Sequence, residues 1–287
     1  MKRIIAYVNL IFSISLLFSY CTQQDGFPVL EGPYLGQKPP GLTPMRFAPG
    51  IITTNGYEGC SGFISNGTVF VFNRSAHSDS NLTYIPIYNM ELKNGKWTKP
   101  YPSNFQNKHN DDNFTVAPDG QTLYFQSNRS IDGLGGLSQY SNIWKTIKTT
   151  DGWTQPVYVK TEDNGPFMGG YPSITKDGTL YFMSSLREGF GDVDIYRSRL
   201  VNGRYQKADN LGNVINSKYR DLDSFIAPDE SYLIFCSNRP GGKGEYDLYI
   251  SFRKKDGSWA KPINMGKEIN SEKSVTRPSV TPDGKYF

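Results

Sequence analysis

The chain has 287 residues, including 17 Phe, 19 Tyr, 29 Gly and 18 Pro. Aromatic side chains suit half-buried strands and Gly and Pro suit tight turns, so this composition favours an all-β fold. Charged residues make up 20% of the chain, which disfavours a coiled coil or a disordered acidic tail. The net charge is +4 and falls by two if Lys2 and Arg3 are removed with a leader segment, which argues against a nucleic-acid partner.

The first 20 residues have the layout of a secretory signal peptide, with a basic start and an apolar run from Ile4 to Phe18. That run is short for a membrane span, which needs about 20 apolar residues. Cys21 follows directly, in the position where a bacterial lipoprotein carries its lipidated first residue. We expect residues 1–20 to be removed and Cys21 to anchor the protein in the membrane, with an ordinary cleaved signal peptide as the alternative. Either way the protein is exported, and as a lipoprotein it would lie in the periplasm or at the outer membrane.

A repeat of about 54 residues organises the rest of the chain. Its most regular part is a strand, a Pro-Asp-Gly turn and a second strand, as in VAPDGQTLYFQSNR at residues 116–129. The residues at the turn position recur at intervals of 53, 58, 52 and 54 residues and are Asn66, Asp119, Asp177, Asp229 and Asp283. Further strand patterns bring each repeat to four strands, which is typical of a β-propeller blade. We therefore predict an all-β propeller of four-stranded blades over residues 46–287.

The motif PDG-x-x-LYF-x-SNR, together with the later stretch RPGGKGEYDLYIS, resembles the WD-type repeat of the propeller in TolB, a periplasmic protein associated with the Tol system. Similar repeats occur in many bacterial envelope lipoproteins. The resemblance covers roughly residues 46–287 and recurs in four or five repeats, so it is specific for the fold. It is weakly specific for function, because one fold hosts many activities.

The repeats predict five blades, with six as the alternative. The last repeat begins at residue 276 and ends at Phe287. Compared with the preceding repeat, it ends about 20 residues before the position where the third strand would finish. We therefore expect the last blade to be incomplete in this chain. We expect residues 21–45 to form the lipidated tether, and the segment 33–51 to supply a closing outer strand.

Functional sites on propellers lie at a mouth of the central channel, where the inner strands begin. Acidic residues recur in those segments, together with one histidine and one arginine. The candidate ligand-binding residues are Glu58, His109, Asp111, Asp112, Asp221, Asp223 and Arg277.

Three interpretations compete for these residues. A glycosidase would use Glu58 with Asp112 or Asp223, since it needs two carboxylates facing one cavity. A divalent cation such as calcium could plug the channel, because calcium prefers oxygen ligands. In the third interpretation the acids cap strand starts and solvate the mouth while a partner binds across the ring.

Nucleophilic catalysis and a zinc site are poorly supported. The sequence contains no Gly-x-Ser-x-Gly elbow, and its two histidines and three cysteines match no standard zinc spacing. Cys60 and Cys236 fall on different blades, so we expect two free, structural thiols. The sequence thus predicts a lipid-anchored, non-catalytic module that binds an envelope protein or a glycan, without a cofactor. A carbohydrate-active enzyme is the alternative.

Overall fold

The computed structural model describes residues 26–38, 41–54, 56–75, 85–105, 109–132, 137–163, 170–185, 187–281, 284 and 286–287. Cys21 and the predicted signal peptide lie outside the described residues. Within those ranges, no helix is long and apolar enough to cross a membrane.

The described chain forms four antiparallel sheets, each following one sequence repeat. The first sheet contains β1 (Tyr57–Ile64), β2 (Val69–Ser75), β3 (Ile87–Lys93), β4 (Lys96–Trp97) and β5 (Tyr101–Pro102). The second contains β6 (Asp111–Val116), β7 (Thr122–Arg129), β8 (Leu137–Thr149), β9 (Gly152–Trp153) and β10 (Val157–Tyr158).

The third sheet contains β11 (Gly170–Ile174), β12 (Leu180–Ser184), β13 (Asp194–Ser198) and β16 (Asp209–Asn210), and the hairpin β14 (Leu200–Val201) and β15 (Arg204–Tyr205) extends beside it. The fourth contains β17 (Asp221–Ile226), β18 (Tyr232–Ser237), β19 (Asp247–Phe252) and β20 (Ile263–Asn264). Two 3-10 turns, Pro33–Gly36 and Ser65–Gly67, are the helical segments of the described chain.

The first strand of each sheet is its inner strand, and the inner strands lie side by side in the order β1, β6, β11 and β17. Four similar sheets arranged in this way are the blades of a β-propeller. The predicted all-β propeller is therefore confirmed. The described residues form four blades, and the predicted fifth blade is taken up below.

The Pro-Asp-Gly turns work as the sequence suggests. The Asp119 carboxylate accepts hydrogen bonds from the backbone N–H groups of Gln121 and Thr122, both at 2.8 Å, and Gly120 follows with a φ of 67°. A side chain that bonds its own backbone and a glycine at positive φ are what a tight turn requires. In the fourth blade Glu230 takes the glycine position and still adopts a φ of 57°.

Alternate side chains of each second strand pack into opposite gaps between blades. Leu123 and Phe125 of β7 face the first blade, whereas Tyr124 between them packs with Leu180 and Phe182 of the third blade. This is the two-residue period of a strand. The blades are consequently held together by continuous apolar layers.

The terminal segments pack on the two outermost blades. Leu35, Ala48 and Ile52 cover Phe63 and Phe70 of the first blade, while Val275 and Val280 lie against the fourth blade. No strand forms in the described residues of segment 33–51, where we expected one. Gly36, Gly41 and Gly50 adopt positive φ there, so the backbone turns repeatedly instead of extending.

Candidate functional site

A β-bulge occurs at the same place in all four inner strands. The strand register shifts between Glu58 and Ser61, between Asp112 and Thr115, between Gly170 and Ser173, and between Leu222 and Phe225. A bulge leaves extra residues unpaired and changes the direction of their side chains. Each inner strand therefore has one bulge residue whose side chain points in a different direction from that of a regular strand residue.

The residues at the bulge hold an unusual backbone conformation. Asn113, Tyr171 and Asp223 have φ values of 51°, 54° and 51°, and Arg277 has a φ of 60° one repeat later. The first blade has Gly59 at this position. Residues other than glycine pay a strain cost of about 1–3 kcal/mol for such angles, and such strain clusters at functional sites. The bulge positions thus define the candidate site.

The Arg277 side chain lies across the channel and contacts residues of three blades. Its Nε donates to the Tyr171 hydroxyl, its Nη2 is 3.9 Å from Asp112 Oδ2, and its guanidinium carbon is 5.5 Å from the centre of the Tyr171 ring. A Cβ atom at Gly59 would lie 2.8 Å from Arg277 Nη1 and 2.5 Å from Asn73 Oδ1. A larger residue at position 59 would therefore force the end of the Arg277 or Asn73 side chain to shift.

Asp223 is a buried carboxyl beside Arg277. Burial raises its pKa to about 7, although the Arg277 charge and a hydrogen bond from Cys236 act in the opposite direction. Its Oδ1 and the neighbouring Ser224 Oγ are buried and make no hydrogen bond within the described part of the chain. Both groups are therefore left with unused hydrogen-bonding capacity.

Two further groups near Arg277 are held in their neutral forms. Burial and the charge of Asp112 raise the pKa of the Cys60 thiol to about 12. Burial and the charge of Asp223 raise the pKa of the Tyr171 hydroxyl above its ordinary value. A thiol that does not ionise is a poor nucleophile, so Cys60 does not suit covalent catalysis. Cys60 and Cys236 are both free, as expected from their places on different blades.

The structure brings three of the seven candidate residues together at the centre, namely Asp112, Asp223 and Arg277. Asp111 instead forms a buried ion pair with Arg129, with both oxygens at 2.7 Å from guanidinium nitrogens. Asp221 occupies the equivalent position and lies 2.5 Å from Arg239. Each ion pair links the start of an inner strand to an arginine at or just after the end of the second strand of the same blade.

The remaining two candidates also lie apart from this cluster. Glu58 accepts a hydrogen bond from the Thr54 backbone and lies 3.6 Å from Arg74 Nε. His109 precedes β6, and burial together with the Arg129 charge lowers its pKa. Within the described ranges, no group of three or more His, Cys, Asp or Glu side chains could hold a metal ion.

A cavity of about 530 Å³ adjoins the cluster. It follows the inner strands beyond their bulges and extends beneath the terminal segments. Its polar lining includes Tyr171, Asp223, Ser224 and Arg277. Sequence reasoning missed Tyr171 and Ser224, which carry no acidic signature. Aligning the repeats column by column would have found Tyr171, because Tyr171, Asp223 and Arg277 share one repeat position.

The sheets, the channel and the central cluster define the chain as a β-propeller with a polar site at its axis. Among solved structures, it is similar to TolB from Acinetobacter baumannii, with a TM-score of 0.48 and 16% identity over 75% of this chain and 45% of that one. It is also similar to a putative TolB from Agrobacterium tumefaciens, with a TM-score of 0.49 and 18% identity over 78% of this chain and 70% of that one.

An endo-arabinase from Bacteroides thetaiotaomicron gives a TM-score of 0.45 and 17% identity, over 74% of this chain and 82% of that one. The chain spans less than half the length of the Acinetobacter TolB. No protein-family model and no curated protein matches the chain. These likenesses concern overall architecture, and the assignment as a propeller rests on the blades themselves.

Proposed function

We propose that the chain is an exported, lipid-anchored β-propeller that binds an envelope protein or a glycan without catalysing a reaction. The apolar leader and Cys21 support export and anchoring. The repeat resembles that of periplasmic TolB, which supports a place in the bacterial envelope. The geometry of the channel supports the non-catalytic role.

The position of Arg277 is the observation that carries this proposal. Its guanidinium crosses the channel beside Asp112, whose Oδ1 also accepts hydrogen bonds from Asn73 and from the backbone of Asn113. A glycosidase needs two carboxylates with space between them for substrate or water. Arg277 instead lies beside both Asp112 and Asp223, and Asp111 and Asp221 are paired with their own arginines.

A fifth blade is part of this proposal. Arg277 shares its repeat position and its left-handed backbone with Asn113, Tyr171 and Asp223. The ring of Tyr34 lies 4.2 Å from that of Tyr286, so the two terminal segments meet between the first and fourth blades. We propose that residues 275–281 begin the inner part of this blade, next to the segment that contains Tyr34.

The binding face is proposed to be the end of the ring where the inner strands begin. Phe190 lies at this end, in the loop between β12 and β13, with 50% of its surface exposed. Phe252 lies at the opposite end of the blades, where β19 finishes, and is 48% exposed. The two residues therefore form a matched pair for testing which face binds.

Co-sedimentation with cell envelopes of the producing bacterium tests the proposal. With Cys21→Ser in every sample, so that lipid does not contribute, we expect saturable binding. Phe190→Glu should weaken binding by about tenfold or more, because it places a charge in the contact core. Phe252→Glu should bind like the parent. Absence of saturable binding, or equal losses in both variants, would contradict the proposal.

A carbohydrate-active enzyme remains a second candidate because of Asp223, whose raised pKa near 7 suits a general acid. Assays with aryl glycosides distinguish the two functions. We expect no turnover by the purified chain. Turnover that disappears in Asp223→Asn or in Glu58→Gln would establish the enzyme and overturn the non-catalytic role.

A further inference from the structure

The central cavity has the size and lining of a small-molecule site. Its volume of about 530 Å³ falls within the range of about 300–1,000 Å³ that is typical of ligand pockets. Four inner segments contribute a hydroxyl-bearing residue to its lining from the same repeat position, two residues after the bulge residue. These residues are Ser61, Thr115, Ser173 and Ser279.

One side of the cavity is aromatic. The Tyr34 ring lies 5.0 Å from that of Phe63, and the Phe47 ring lies 5.4 Å from that of Phe70. Tyr286 packs on Tyr34 and completes this wall. Aromatic faces accept flat apolar surfaces and C–H groups but provide few hydrogen-bond partners. The cavity therefore suits a molecule with one apolar face and a hydroxyl-rich edge.

The polar end of the cavity has unused hydrogen-bonding groups. Asp223 Oδ1 and Ser224 Oγ are buried in its wall without a hydrogen-bond partner among the described residues. Buried polar groups in native proteins are nearly always satisfied by protein, water or ligand. A ligand that both donates and accepts hydrogen bonds would satisfy an acid oxygen and a hydroxyl together.

The charges at the polar end of the cavity favour a neutral ligand, whereas Lys38 and Lys176 lie at its exposed edge. Arg277 is balanced by Asp112, whose Oδ2 is 3.9 Å away. Burial raises the pKa of Asp223 to about 7, so near neutral pH this carboxyl is protonated, and uncharged, in about half of the molecules. An anion or a cation entering the cavity would upset this balance at the cost of its own desolvation.

We propose that the central cavity binds a neutral mono- or disaccharide, held by Asp223, Ser224 and Arg277 at its edge and by the aromatic wall on its face. The inference deepens the proposed function and rests on it, because it gives the binding module a sugar ligand inside the ring.

Titration calorimetry on the purified full-length chain tests this inference. The probes are glucose, galactose, mannose, arabinose, N-acetylglucosamine, maltose, cellobiose and lactose, with glucuronate and glucosamine as charged counterparts. We expect one-to-one binding of at least one neutral sugar, and binding of the charged counterparts at least tenfold weaker. Absence of binding by every neutral sugar at millimolar concentration, or preference for a charged one, would overturn the proposal.

Two variants and a control locate the site. Ser224→Ala should weaken sugar binding about fivefold without lowering the melting temperature, because the hydroxyl makes no hydrogen bond in the described fold. Asp223→Asn should weaken binding about tenfold. Asp256→Asn, at an exposed turn, should bind like the parent. Unchanged binding by Ser224→Ala and Asp223→Asn together would place the sugar elsewhere and refute the inference.

The outcome is separable from that of the proposed function. If no neutral sugar binds but the chain still co-sediments with envelopes through the Phe190 face, the cavity inference fails and the binding module stands. If a sugar binds and is hydrolysed, the cavity inference stands and the non-catalytic role fails.

Discussion

Asp223 is the residue whose environment departs most from that of an ordinary carboxyl. It is 4% exposed, its backbone is left-handed, and its surroundings include Arg277, Asp112, Cys236, Cys60 and Tyr171. Burial dominates over the favourable charge of Arg277, so the folded protein holds a proton on Asp223 that the unfolded chain would release. The stability of the fold is therefore linked to pH through this group.

Replacing Asp223 with Asn should change how stability depends on pH. Below about pH 4 Asp223 is protonated in both states and contributes no pH dependence. Between pH 4 and 7 only the folded state keeps the proton, so the parent loses stability as pH rises, by on the order of 4 kcal/mol for a pKa near 7. The Asn variant lacks this loss. Urea unfolding at pH 4.5, 6 and 8 should show its advantage over the parent growing with pH.

Asp256 provides the control for this measurement. Its carboxylate caps an exposed turn by accepting hydrogen bonds from Ser258. Asp256→Asn should therefore give a pH profile parallel to that of the parent above pH 4.5. If Asp223→Asn is also parallel to the parent, Asp223 is ionised throughout this range and the raised pKa is wrong.

At the scale of elements, a loop motif stabilises the third and fourth blades. NLGNVIN at 210–216 precedes β17, and NMGKEIN at 264–270 precedes the C-terminal segment. Both loops make the same hydrogen bonds. Asn216 Oδ1 accepts from the Ile195 N–H at 2.9 Å, and its Nδ2 donates to the Ile195 carbonyl at 2.9 Å and to Asn210 Oδ1 at 2.7 Å. The buried amide thus completes the backbone hydrogen bonds of a third strand.

Asn216→Ala should destabilise the protein by about 2–4 kcal/mol, because it leaves the N–H of buried Ile195 unpaired and removes one of the two hydrogen bonds to the Ile195 carbonyl. Chemical denaturation should show the loss as a lower midpoint. Asn213→Ala, three residues earlier in an exposed turn, should change stability by no more than about 0.5 kcal/mol. Similar effects of the two substitutions would mean that the amide hydrogen bonds contribute little.

The elements also show what the sequence could predict. Asp119 and Gly120 identify a tight turn through their own chemistry, and the alternation of Leu123, Tyr124 and Phe125 identifies a strand packed on both faces. The partners of the site residues depend instead on how the strands pair. Asp111 and Asp112 are adjacent and chemically alike, yet Asp111 pairs with Arg129 and Asp112 reaches Arg277. Adjacent residues of a strand point to opposite sides, and which of the two meets Arg277 depends on strand pairing, which no single residue reveals.

At the scale of the whole molecule, the two terminal segments complete the central site. The N-terminal segment covers the aromatic face of the first blade, and the C-terminal segment places Arg277 in the channel. Arg277 contacts groups on other blades, so the central site is assembled from distant parts of the chain. A ligand held by both Arg277 and the aromatic wall would therefore contact both terminal segments and link its own binding to the way these segments meet.

Our prediction for membrane attachment concerns the opposite end of the chain, at Cys21. Acylation adds about 0.8 kcal/mol of membrane affinity for each buried CH₂ group, so loss of the acyl chains should release a protein that has no other anchor. We expect Cys21→Ser to move the protein from the membrane to the soluble fraction in cell fractionation. Cys60→Ser keeps the leader and Cys21 and changes only a half-buried thiol, so it should stay with the membrane. Membrane retention of Cys21→Ser would show that the anchor lies elsewhere.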